Sequence, residues 1–248
     1  MDVWNRTQTT AQSQSAATDV GLRSYMLKVY NYMTSALILT GLVAYFASQA
    51  AVTTGADGAL LLTPFGEAIF QSPLKWLVIL APLAFVLTMS FMRSMKTSTL
   101  QLCFWAFSGV MGLSLASIFL VYTGESVARV FFITAATFGG MSMLGYTTKK
   151  DLTGMGHFLI MGVWGLIVAS IVNLFMHSTG LSMVISYAGV LIFTGLIAYD
   201  TQKLKDIYYQ VGGHADSLAR ASIMGALNLY LDFINLFVSL LRIMGDRR

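Results

Sequence analysis

The 248-residue sequence is short of charge. Fifteen Lys and Arg and eleven Asp and Glu make up 10% of it, against roughly 25% in a soluble globular domain. Apolar residues make up 56%. That leaves too few charges to cover a surface facing water. It also excludes a disordered chain, a coiled coil, and a nucleic-acid-binding module, whose footprint is a dense basic patch. The single cysteine, Cys103, excludes an internal disulfide. Of the three prolines, Pro64 and Pro73 share one connection and Pro82 falls inside an apolar run. No apolar core of a signal peptide opens the chain, so no cleaved leader is expected. Zinc-ligand spacing, a Gly-rich phosphate loop and a Ser/His/Asp arrangement are all missing. His157, His177 and His214 read as helix-end or loop residues.

What is present is a set of long uncharged runs, at 29–56, 76–92, 97–124, 130–148 and 152–199. A helix crosses the hydrocarbon with about 20 residues, and in lipid the backbone must be paired within the segment. The last run holds two spans, divided at His177-Ser178-Thr179-Gly180. A further apolar stretch at 221–241 is broken only by Asp232. The expectation is an all-α integral membrane protein with the bilayer as its solvent. Seven spans are predicted, near 31–50, 75–92, 100–122, 127–147, 155–176, 181–200 and 221–243. Residues 1–20 read as a disordered polar tail and 21–248 as the transmembrane domain. Leu22, Met26, Val29 and Met33 share one helical face and suggest an interfacial lead-in to the first span. The connection 52–73 has room for a short surface helix.

Lys and Arg set the orientation. Arg6, Arg23, Lys28, Arg93, Lys96, Lys149, Lys150, Lys203, Lys205 and Arg220 fall on one side, and Lys75 and Arg129 on the other. The N-terminus is therefore expected in the cytoplasm. Arg242, Arg247 and Arg248 oppose this, which leaves the last segment either crossing or re-entrant. Rows of small residues four apart, Ser108, Gly112 and Ala116 and then Ala135 and Gly139, predict close helix packing. Pro82 is expected to bend its helix and free a carbonyl.

Three ionisable residues stand out. An Asp at a helix centre costs about 2.5–3.5 kcal/mol on insertion scales, and Asp232 lies mid-span. Asn228, Asp232, Asn235, Ser239 and Arg242 repeat at helical spacing and form one polar stripe. Asp200 ends the longest uncharged run, and Arg93 closes the second segment on the same predicted side. Alone, Asp200 also reads as a solvated helix end and Arg93 as a positive-inside residue.

These residues lie in recognisable strings. Ala226-Leu-Asn-Leu-Tyr-Leu-Asp-Phe-Ile-Asn-Leu-Phe237, followed by Leu240-Leu-Arg242, resembles the C-terminal signature of the Bax-inhibitor-like (transmembrane Bax inhibitor motif) family. Ala198-Tyr-Asp-Thr-Gln202 resembles its sixth-helix signature, and residues 21–32 resemble its bacterial branch. The resemblance implies a seven-helix bundle with the last helix central, in the bacterial inner membrane. It implies a pH-sensitive calcium leak, with Asp200 and Asp232 as proton sensor and Arg93 as the latch on Asp200. Asn228, Asn235 and Ser239 would line the path, and the two aspartates would hold calcium weakly. No tightly bound cofactor is expected, and calcium enters as the permeant ion. A glutamate found in the second helix of some members has no counterpart in Leu80-Ala-Pro-Leu-Ala84.

Two other readings compete. One is a non-conducting modulator of a partner such as a membrane AAA protease, a partner role described for some bacterial members. The other is an intramembrane aspartyl protease. Tyr199-Asp200 suits that enzyme, but Leu229-Tyr-Leu-Asp232 replaces its Gly-x-Gly-Asp, so no enzyme activity is expected.

Overall fold

The computed structural model describes the backbone of residues 2–54, 60–91, 96–212 and 214–248. Side chains are described from Val20 onward, apart from 54–60 and several between 79 and 95. Helix α1 runs Asp2–Ala51, so its backbone is already helical within the stretch read as a polar tail. A hairpin follows, β1 (Val52–Thr54) antiparallel to β2 (Leu60–Leu62) with Val52 opposite Leu62. Then come α2 (Pro64–Phe70), α3 (Leu74–Phe91), α4 (Thr97–Val121), α5 (Gly124–Thr147), α6 (Thr153–Met176), α7 (Thr179–Val211) and α8 (Ala215–Met244). Among the described residues, six helices are long and apolar enough to cross a membrane: α1 from Val20, α4, α5, α6, α7 and α8.

Local chemistry fixes the ends. Thr63, Thr123 and Ser178 cap α2, α5 and α7, each accepting a backbone N–H with its hydroxyl. The connection 52–73 does hold a short helix, α2, but it also holds a hairpin that the sequence did not announce. Pro82 sits inside α3, which continues through it. A proline at 82 cannot donate to the carbonyl of Val78, four residues back. The hydroxyl of Ser114, on α4, donates to that carbonyl instead. The freed acceptor becomes an α3–α4 contact.

The predicted lead-in is corrected. Leu22, Met26, Val29 and Met33 are buried in the main core with residues of α7 and α8. Their side chains face protein and not a membrane surface. Their face is apolar because helices cover it, and α1 carries it without a break into the span.

Burial is distributed unevenly. Helix α6 buries only Gly156 and Leu159 and exposes Phe158, Met161, Trp164 and Phe175. An exposed apolar surface of that extent suits lipid, not water. Helix α8 packs against α1, α4, α5 and α7 and buries Tyr230, Phe233, Leu236 and Leu241 among others. It runs unbroken from the α7–α8 turn at one end of the bundle to the α4–α5 turn at the other. There its tail is tied down: Thr123 N–H donates to Asp246 O (3.0 Å), Arg248 N–H to Val121 O (3.0 Å), and Arg129 pairs with Asp246 (2.7 Å). The last segment therefore does not turn back on itself.

Candidate functional site at the α7–α8 seam

Helices α7 and α8 form an antiparallel hairpin, and two close approaches fix their register. A Cβ on Gly225 would stand 2.3 Å from a Leu204 methyl, and one on Gly189 would stand 2.6 Å from Ser239 Oγ. Positions whose numbers sum to about 429 thus face each other. Asp200 lies opposite 228–229, and Asp232 is about one turn further on. The two carboxyl groups are near enough to act on each other electrostatically. Asp232 is only 6% exposed, and its Oδ2 has no hydrogen-bond partner among the described residues. Asp200 is half-buried, with Lys203 near enough to act on it electrostatically.

The residues around Asp200 leave α7 at 100° steps and meet different neighbours. Tyr199 is buried against α6, where a Cβ on Gly156 would stand 2.3 Å from its ring. Thr201 is fully buried and shares a hydrogen bond with Ser142 of α5 (3.0 Å), and Ser142 shares another with Tyr30 of α1 (2.5 Å). Gln202 clamps the α5–α6 connection: its Oε1 accepts from Leu152 N–H and its Nε2 donates to Lys150 O, both at 2.8 Å. Lys205 donates to Tyr146 O (2.5 Å) and lies over that ring. The short string on α7 thus fastens three helices and one loop around a single carboxylate.

The family is settled by comparison. The model of the family described as "Inhibitor of apoptosis-promoting Bax1" matches residues 22–248. This chain belongs to the Bax-inhibitor-like family. An uncharacterized protein of Caulobacter vibrioides is 48% identical over 239 residues, covering 96% of this chain and 94% of that one. One from Rickettsia prowazekii is 47% identical over 241 residues, with 96% of each covered. Escherichia coli inner membrane protein YbhL is 44% identical over 230 residues, with 92% and 94% covered. This Bax-inhibitor-like chain is a multi-pass inner membrane protein.

Within this Bax-inhibitor-like fold, the polar stripe on α8 is split. Asp232 alone of the five is buried; Asn228, Asn235 and Arg242 are exposed and Ser239 is half-buried. Asn235 donates to Leu231 O and Ser239 to Asn235 O, so both donate within their own helix. Arg93 lies outside the described residues. Among the described residues, no three His, Cys, Asp or Glu gather closely enough to hold a metal ion. Tyr30, Ser142 and Thr201 were not singled out in the sequence. Hydroxyls are common in apolar helices, and only the tertiary meeting distinguishes these three.

Proposed function

We propose that the protein is a pH-sensitive calcium leak of the inner membrane, switched by the Asp200–Asp232 pair. The observation that carries this reading is the pair itself: a buried, incompletely bonded carboxyl in a charge-poor span, with a second carboxyl as its neighbour. Two ionised carboxylates repel, and they can hydrogen bond to each other only while one holds a proton. They titrate as one unit. In this reading Arg93, which follows the α3 segment in the sequence, competes for Asp200 in the closed state. Proton occupancy of the pair then decides which contact holds, as a switch requires.

The reading takes α3 as a seventh crossing, α8 as the central helix, and the N-terminus as cytoplasmic. The gathering of Lys149, Lys150, Lys203 and Lys205 at one end of the bundle supports that orientation. The exposed Asn228 and Asn235 give α8 a polar strip beside the pair. Calcium takes six to eight oxygens. Two carboxylates and a few amide oxygens bind it transiently, which suits passage and not storage.

The test is calcium flux into dye-loaded liposomes across pH with the purified protein. Asp200→Asn and Asp232→Asn are each expected to flatten the pH profile. If both variants keep the wild-type profile, the pair is not the sensor. Absence of flux at any pH would replace the leak with a modulator of a membrane partner such as an AAA protease.

A further inference from the structure

A cleft separates α1 from α5, with α8 as its floor. Its larger part has a volume of ≈ 710 Å³ and is lined from Arg23 to Leu37 on α1 and from Phe131 to Tyr146 on α5, with Phe233 beneath. That size lies within the roughly 300–1,000 Å³ of known ligand sites. A smaller apolar part, ≈ 250 Å³, continues towards the α4–α5 turn. The cleft opens outwards: Leu27 is 51% exposed and Met143 is 70% exposed on its two walls. The small residues Ala135 and Gly139 line it, and a Cβ on Gly139 would meet nothing within 4 Å.

The cleft is polarised. Arg23 stands at one end near Tyr146, whose carbonyl and ring hold Lys205. Arg23 makes no ion pair among the described residues. Away from that end the walls are Met33, Leu37, Phe131 and Phe138. The length also fits one leaflet. Arg23 to Leu37 rises about 21 Å, and Phe131 to Tyr146 about 22 Å. Half a bilayer with its headgroup layer is about 20–22 Å.

We infer that this cleft is a binding site for one anionic phospholipid, with its headgroup on Arg23 and an acyl chain lying between α1 and α5. Basic pockets between transmembrane helices on the cytoplasmic side take anionic headgroups. The choice of leaflet rests on the orientation proposed above; the site does not. The bound chain would lie against Tyr30 and Ser142, which reach Thr201 beside Asp200, and against Phe233 beside Asp232. Lipid occupancy would therefore bear on the carboxylate pair from the side.

The test uses the full-length protein, stripped of lipid in a neutral detergent and titrated with phosphatidylglycerol or phosphatidylcholine while thermal unfolding is followed. A ligand specific for the native state raises Tm in a saturable way. Phosphatidylglycerol is expected to half-saturate at a concentration about fivefold lower than phosphatidylcholine, the equivalent of about 1 kcal/mol for one arginine. Arg23→Gln should make the two lipids equal. Gly139→Leu, which fills the open wall, should not lower the lipid-free Tm and should abolish saturation by either lipid. Equal action of the two lipids on the unaltered protein would overturn the site. So would a phosphatidylglycerol response that survives both substitutions, since that marks lipid bound all round the bundle. Neither readout involves ion flux, so this outcome is separate from that of the leak.

Discussion

Helix α1 has α4 on one flank and α5 on the other, and both partners carry small residues four apart. Against α4 the seam is shut. A Cβ on Gly112 would stand 2.7 Å from Thr40 O and from Val43 Cβ, and Ser108 and Ala116 are buried on either side of it. Against α5 the seam is open, and Ala135 and Gly139 face the cleft. The expected close packing holds for the first row and fails for the second. The difference comes from what else each helix must satisfy. Helix α5 is held by α7, where a Cβ on Gly145 would stand 2.2 Å from Ala198 O, and by α8, through Phe138 on Phe233. Those contacts fix its position, and the α1 backbone stays apart from it, with only the Tyr30 hydroxyl reaching across to Ser142. A small residue permits a close approach, but whether one occurs depends on a third helix.

The strongest way to break this comparison is Gly112→Leu. Its first added carbon already collides with backbone, and the helix has no flexible neighbour to move aside. Overpacking costs about 1–3 kcal/mol where a core adjusts, and more where it does not. The variant is expected to lose its cooperative thermal transition in detergent, while Gly139→Leu keeps one. Equal Tm values for the two would mean that α1 and α4 are not tightly joined.

Thr40→Val probes the shut seam without changing its shape. The Thr40 hydroxyl donates to Ser108 O (2.8 Å) and shares a hydrogen bond with Tyr230 OH (2.7 Å), joining α1, α4 and α8 at one buried point. Valine leaves the Tyr230 hydroxyl without this partner. An orphaned buried group costs about 1–3 kcal/mol. The Tm should fall, and Thr40→Ser should restore most of it. A Thr40→Val protein as stable as its parent would show that packing alone closes the seam.

The same contrast shows how far the sequence could be read. Charge gaps located the apolar helices because desolvating a charge is costly wherever the helix sits. Asp232 was legible for the same reason, and its pairing with Asp200 was suggested by the resemblance of two strings. The direction in which a helix faces was harder to read. Leu22 to Met33 looked amphipathic enough for an interface, yet they are core, because α7 and α8 cover them from far along the chain. Asn228 and Asn235 follow Asp232 at helical spacing, yet they are exposed while it is buried. A stripe about 80° wide contains both the edge and the centre of a buried face. Tyr30, Ser142 and Thr201 come from three helices, and no spacing along one of them could show that they meet.

The smallest expected effect is the most discriminating, because it should differ in sign between the two seams. A glycine inside a helix is less stable than alanine by roughly 0.5–1 kcal/mol, through backbone entropy. Gly139→Ala adds a methyl group to open space, so that gain should appear as a slightly raised Tm. Gly112→Ala makes the same gain in helix propensity but sets its methyl 2.7 Å from Thr40 O, where α1 must give way. Its Tm should fall. Paired unfolding scans in one detergent measure the difference directly. A rise at both positions would mean that α1 yields to α4 at little cost, and the two flanks would then differ in spacing but not in stiffness.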